Sequence, residues 1–249
     1  MAAEEYVQSL ARGLEVLRAF DAEHPRQTLS EVAGGVGLTR ATARRFLLTL
    51  VELGYLHSDG KLFSLTPRVL ELGHGYLSGL GLAEVVQPHL ERLSAQVGES
   101  TSASVLDGND IVYVARVPVQ RIMTVTVGIG TRFPASATSM GRAMLAALPS
   151  VQLPDELPTF TSRTISDRSA LIAELDRVRE RGWAMVDGEL EDGVRSLAVA
   201  VREADGSVAG AINVAGRSDG DPGAFESRVR DAVVTTGAAI ERDLAALRR

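Results

Sequence analysis

Near the start of the chain, two helix-start signals stand close together and glycine keeps the first helix short. Thr28-Leu29-Ser30-Glu31 sets an acid three residues after a hydroxyl, a capping-box pattern, and Gly34, Gly35 and Gly37 penalise any continuation. Thr39 then caps a helix expected from Arg40 to about Leu53, stopped by Gly54. Upstream, Val7, Leu10, Leu14, Leu17 and Phe20 recur at three- and four-residue steps between Tyr6 and Phe20, which predicts one buried helix face. Downstream, Tyr55 to Leu65 carries an Asp59-Gly60 turn between alternating apolar residues, a hairpin signal. Three helices and a hairpin predict a winged helix-turn-helix over residues 1–66. Thr66-Pro67 opens a further helix, expected to link onward through residues 67–80.

Residues 81–249 read as one α+β domain. Amphipathic helices are expected at Leu82–Val97 and Arg168–Arg181 (stopped by Gly182), and further helices at Ser139–Ala147 and about Ala224 to Leu247. Strands are expected at Thr101–Leu106, Ile111–Val117, Ile122–Val127, Trp183–Asp187, Val194–Arg202 and Val208–Ala215. The short turns between them imply antiparallel pairs, which favours α+β over a doubly wound sheet.

Composition narrows the function. With no cysteine, the chain has no disulfide, thiolate metal site or cysteine nucleophile. Its acidic opening and the lack of a long apolar run predict a cytoplasmic protein without a membrane span. A net charge of −6 argues against a non-specific nucleic-acid coat but leaves room for a local basic surface. Residues 1–66 carry −1 of that charge and residues 67–249 carry −5, so most of the excess acid lies outside the helix-turn-helix.

On a helical wheel, Ala43, Phe46, Leu47, Leu50 and Gly54 share one arc of the third helix. Thr42, Arg45 and Thr49 point away from it, and Arg40 and Arg44 flank it. With Thr39 at the cap, three arginines and no acid between Gly37 and Val51, this surface suits phosphate and base-edge contacts. A solvated helix face would carry the same residues, and it is the helix-turn-helix context that favours DNA. Lys61, the only lysine, stands on the hairpin beside its turn, within reach of a backbone phosphate.

Catalysis has little support. Ala137-Thr138-Ser139-Met140-Gly141 resembles a nucleophile elbow, yet no histidine follows His89 to activate the serine. His24, His57, His74 and His89 have no metal-binding spacing and are expected at the surface or in turns. No catalytic residue, cofactor or metal is assigned. A helix starting at Ser139 offers N–H groups and a positive dipole end to a carboxylate, with the Thr138 and Ser139 hydroxyls beside it. Ordinary N-capping would use the same hydroxyls. Arg121, Ser196 and Asn213 are candidates for polar contacts in an otherwise apolar pocket, with Arg121 as counter-ion.

Taken together, several stretches resemble the IclR-type bacterial transcription regulators. In the first domain they are Val7 through Leu17, Leu29-Ser30-Glu31-Val32-Ala33, Thr39 through Leu47 and Leu53-Gly54-Tyr55-Leu56. In the second they are Pro134 through Ala143 and Glu189 through Ala198. The Ala137–Arg142 stretch is most similar to the branch controlling protocatechuate, 4-hydroxybenzoate and β-ketoadipate catabolism. The resemblance implies a winged helix, a linker helix and a GAF-like effector domain, with homodimers that pair into tetramers on pseudopalindromic operators. It implies an effector pocket of Ile122, Val125, Phe133, Ser139, Met140, Asp187, Val194, Ser196, Asn213 and Ala215, taking a small carboxylate such as protocatechuate or β-ketoadipate. The rival readings are an enzyme acting on a small aromatic or acyl acid with an accessory helix-turn-helix, and a sensor that binds ligand but no DNA.

Overall fold

The computed structural model describes residues 6–73, 75, 82–119 and 127–247. The chain divides into two compact units, Met1–Tyr76 and Leu77–Arg249.

In the first unit, helices α1 (Gln8–Arg18), α2 (Leu29–Gly35) and α3 (Arg40–Glu52) pack with strands β1 (Arg26–Thr28), β2 (Leu56–Ser58) and β3 (Leu62–Leu65). The strands form an antiparallel sheet in the order β1-β3-β2. The capping box at Thr28 is complete: the Glu31 N–H donates to the Thr28 hydroxyl and the Glu31 carboxylate accepts the Thr28 N–H. Gly37 turns the chain with φ +63°, and the Leu38 N–H reaches back to the Ala33 carbonyl at 2.9 Å. Only a residue without Cβ enters this region cheaply, so one glycine sets the bend between α2 and α3.

The expected face of α1 is corrected. Leu10 and Leu14 are 64% and 48% exposed, and Tyr6 and Val7 are also exposed. The helix instead packs through Gly13, Val16, Leu17 and Phe20, an equally regular i, i+3, i+4, i+7 set. Gly13 lies on this face beside Phe46 of α3, where a Cβ would make ordinary van der Waals contact.

The second unit is a six-stranded antiparallel sheet in the order β6-β5-β4-β9-β8-β7. Its strands are β4 (Ser100–Asp107), β5 (Asp110–Val117), β6 (Arg132–Pro134), β7 (Ala184–Asp187), β8 (Val194–Arg202) and β9 (Val208–Arg217). Helices α4 (Leu82–Val97) and α7 (Pro222–Leu247) cover one face, and α5 (Ser139–Ala147) and α6 (Arg168–Arg181) the other. The fold is α+β, as the antiparallel pattern implied. The two faces differ because neighbouring residues on a strand point oppositely. Leu197, Val199, Val201, Ile212 and Val214 pack on α4 and α7. Ala198, Ala211 and the alternating buried serines Ser102 and Ser104 lie on the α5 side.

Two short strands, β1 and β6, go beyond the sequence expectations, and most of the expected strand Ile122–Val127 lies outside the described residues. His89 is not a surface residue but 8% exposed, and it joins α4 to α7 by a 2.7 Å contact with Asp243. Because Arg92 can only donate to His89 Nδ1, Nε2 carries the proton given to Asp243. His74 lies outside the described residues.

Candidate functional site

The first candidate is the outward surface of α3. Thr39 caps it, its hydroxyl accepting the Thr42 N–H at 3.2 Å and donating to the Thr42 hydroxyl at 2.9 Å. Both hydroxyls therefore serve the helix start. Ala43, Leu47 and Leu50 are buried, while Arg40, Arg44, Arg45 and Thr49 are exposed, matching the wheel. Among the described residues no ion pair involves Arg40, Arg44, Arg45 or Lys61. Elsewhere in this unit Arg12, Arg26 and Arg68 are held by Glu15, Asp59 and Glu71. The α3 cations are thus available to a polyanion. Lys61 is exposed at the β2–β3 turn, whose shape is fixed by Asp59 accepting the N–H groups of Lys61 and Leu62. A wide depression beside α1 is open to solvent, and in it Arg12 pairs with Glu15 and His24 with Asp21.

The second candidate is a crevice between the start of α5 and the sheet. Thr138, Ser139, Met140, Val194, Ser196, Asn213 and Ala215 line it, seven of the twelve residues expected of the effector site. Tyr113, Arg116, Ala137, Val186, Leu190 and Glu191 complete the lining and were not anticipated. It bounds about 490 Å3 of space between atoms, mouth included, and its inner part holds little more than a water molecule. Arg121, Ile122 and Val125 lie outside the described residues.

Two expected residues are elsewhere. Asp187 follows Val186 on β7, so its side chain takes the opposite face of the sheet. There it binds Arg195 at 3.0 Å and accepts a short hydrogen bond from Ser218, with Arg163 nearby. Partial burial alone would raise its pKa, but these hydrogen bonds and cations outweigh burial and hold the carboxyl below its ordinary range. Phe133 stacks edge-on against Tyr113 at 6.0 Å and supports the crevice from behind rather than lining it.

The helix start is built tightly. The Thr138 hydroxyl accepts the Gly141 N–H at 3.1 Å, and Ser139 and Ser196 share a hydrogen bond of 2.8 Å. A Cβ on Gly141 would stand 2.2 Å from the Ala135 carbonyl oxygen, so the preceding turn can fold under α5 only because position 141 is glycine. Arg142, 1% exposed, points down from α5 to Glu189. One guanidinium nitrogen donates to Glu189 Oε1 at 2.7 Å, a second to Oε2, and Nε to the Ser136 carbonyl at 2.8 Å. Glu189 Oε2 also accepts the Ile165 N–H at 3.0 Å. The hydroxyls of Thr161 and Thr164 reach the carbonyls of Gly188 and Glu189, each at 2.6 Å. This network fixes the loop whose Leu190 and Glu191 border the crevice.

Arg116 owes its place to a β-bulge. Ser104 pairs with Tyr113 and Ala103 with Ala115, leaving Val114 as an extra residue on β5. The alternation changes phase there, so Tyr113 and Arg116 face the same side. Arg116 donates to the Ser102 hydroxyl at 3.2 Å. Burial lowers its pKa, yet a guanidinium remains cationic at neutral pH. Burial also pushes the Tyr113 phenol up to about 12, which keeps it a hydrogen-bond donor. The crevice can therefore hold a small anion, because a cation, a phenol and the start of α5 converge on it beside hydroxyls and the Asn213 amide, with Glu191 at its border.

Comparison with known proteins agrees. The IclR helix-turn-helix domain matches residues 9–60, and the IclR C-terminal domain of bacterial transcriptional regulators matches residues 74–242. The Pca regulon regulatory protein of Pseudomonas putida is 44% identical over 216 residues, covering 84% of this chain and 74% of that protein. The crystal structure of a transcriptional-regulator candidate from Rhodococcus sp. RHA1 is 52% identical, with a TM-score of 0.83 over 97% of this chain and 100% of that one. An IclR homologue from Microbacterium hydrocarbonoxydans, solved in complex with 4-hydroxybenzoate, is 28% identical, with a TM-score of 0.80 over 96% of this chain and 100% of that one. These matches describe regulators rather than enzymes and give the enzyme reading no support. The chain belongs to the IclR family of bacterial transcriptional regulators.

Proposed function

We propose that the protein regulates aromatic-acid catabolism genes, binding operator DNA through α3 and a small aromatic carboxylate in the crevice beneath α5. The observation that carries the reading is the convergence of Arg116, Tyr113, Asn213 and the α5 N-terminus on one buried space, in a chain similar to a homologue solved with 4-hydroxybenzoate. Residues 1–66 form the DNA-binding domain, 67–80 the linker and 81–249 the effector domain. Arg40, Thr42, Arg44, Arg45 and Thr49 meet the DNA, with Thr39 at the helix start and Lys61 on a phosphate. The exposed Tyr6, Val7, Leu10 and Leu14 supply an apolar surface for the homodimer that a pseudopalindromic operator requires.

A benzoate ring needs more room than the crevice opens to water, so its binding displaces lining side chains. That displacement gives the acid unequal affinity for two arrangements of the protein, the condition for shifting a DNA-binding equilibrium. The test is fluorescence anisotropy on DNA from the protein's own upstream region, with and without protocatechuate, 4-hydroxybenzoate or β-ketoadipate. An acid should move the DNA-binding curve, and Arg44→Ala with Arg45→Ala should weaken binding by about 1–3 kcal/mol for each arginine that contacts a base. Undiminished binding by the double variant removes α3 as the recognition helix, and curves insensitive to every acid remove the effector assignment.

A further inference from the structure

Most polar groups of the crevice satisfy one another. Ser139 pairs with Ser196, Ser104 donates to the Met140 sulfur, Thr138 caps α5, and Ser102 accepts from Arg116. Asn213 is the exception. It is 4% exposed, and its Oδ1 has no hydrogen-bond partner, the one buried atom of the described lining in that condition. Its place on β9, between Ser102 on β4 and Ala198 on β8, is an expensive one for an amide that served packing alone. Ala211 and Ala215, two residues to either side, fill the same face with a methyl group.

We propose that Asn213 is the specificity-determining residue of the crevice, and that it accepts a hydrogen bond from a hydroxyl on the effector's ring. The inference rests on the crevice being the effector site. Arg116, the Tyr113 phenol and the α5 N-terminus all favour acceptors, so they answer a carboxylate. A buried carbonyl oxygen answers only a donor. A ring-hydroxylated benzoate carries one group of each kind. An ionised open-chain keto diacid carries acceptors alone, and leaves Asn213 Oδ1 unpaired or facing a second oxygen. The chemistry therefore selects hydroxybenzoates over unhydroxylated benzoates and over open-chain diacids.

Isothermal titration of the full chain tests this with 4-hydroxybenzoate, 4-methylbenzoate (similar shape, no donor) and β-ketoadipate. The hydroxylated acid should bind on the order of ten- to a hundredfold more tightly than the methyl analogue, the ratio set by leaving a buried acceptor unpaired. In Asn213→Leu the ratio should fall to near one, with 4-methylbenzoate binding retained. Equal affinities in the native chain, a ratio unchanged in the variant, or tighter binding of β-ketoadipate overturns the role of Asn213 while leaving a crevice that binds acids. Failure of all three acids to bind refutes the effector site itself, and this inference with it. The comparison in the native chain decides the matter even if the variant does not fold.

Discussion

Replacing Arg142 by methionine should cost far more than the loss of one charge at a surface. The Arg142 and Glu189 side chains are 1% and 11% exposed, so the carboxylate left behind cannot turn to water without opening the loop. It would keep only the Ile165 N–H, and the Ser136 carbonyl would lose the Arg142 Nε donor. Breaking a buried pair from one side costs about 3–5 kcal/mol. At about 2–4 °C per kcal/mol for a unit of this size, the melting temperature should fall by roughly 6–20 °C. Glu189→Leu, which strands the guanidinium instead, should cost a similar amount. The double variant should be no worse than either single, because the charges leave together and only the Ser136 carbonyl and the Ile165 N–H remain unpaired, at about 1–3 kcal/mol each. Scanning calorimetry of the native chain, both singles and the double gives the full cycle. Singles within about 1 kcal/mol of the native protein, or costs that simply add, would refute the claim that this pair ties α5 to the loop at the crevice mouth.

Two further outcomes are expected. Gly141→Ala puts a methyl group into the Ala135 carbonyl, a clash with backbone that should cost about 3 kcal/mol and lower the melting temperature of the second unit accordingly. Asp187 has a folded pKa below its unfolded value, so its contribution is present above the unfolded pKa near 4 and is lost as pH falls through the folded value. Denaturant midpoints measured from pH 7 to pH 3 should therefore fall less steeply in Asp187→Asn than in the native chain, and parallel curves would contradict the ion-pair assignment.

Wherever local chemistry alone decides, the fold was legible in the sequence. Thr39 and Gly54 bound α3, and Asp167 and Gly182 close the two ends of α6. Leu82–Val97 and Ser139–Ala147 match the expected ranges because their apolar stripes, or the threonine cap of the second, leave no competing register. The α1 face was misread because two periodic sets overlap on that helix, and only α3, with Phe46 opposite Gly13, chooses between them. Strand β1 is Arg-Gln-Thr, polar throughout, and exists because β3 offers it a partner. His89 looked like a surface residue because its partner Asp243 is 154 positions away. At the crevice, the α5 residues and the inward positions of β8 and β9 follow from cap and alternation. Asp187 fails because a shift of one residue exchanges the two faces of a strand, and it is Val186 that takes the crevice side of β7. Arg116 went unnoticed for a related reason, since strict alternation from Ile111 and Tyr113 sends it toward α4 and α7.

That bulge has an evolutionary corollary. On an unbulged strand, losing one codon rotates every residue beyond it by half a turn and exchanges the side chains that face a cavity for those that face away. Here the extra residue is already absorbed, so losing Val114 would close the bulge into a regular ladder with Ala115 still opposite Ala103 and Arg116 still opposite Ser102, inside the cavity. Tyr113 and the strand before it would keep their partners. Relatives with one residue fewer at this point should therefore keep a cation at the Arg116 position on an unchanged scaffold. Ligand class within such a family would then change by substitution of the residues facing the cavity, and a change of chain length at the bulge would be silent.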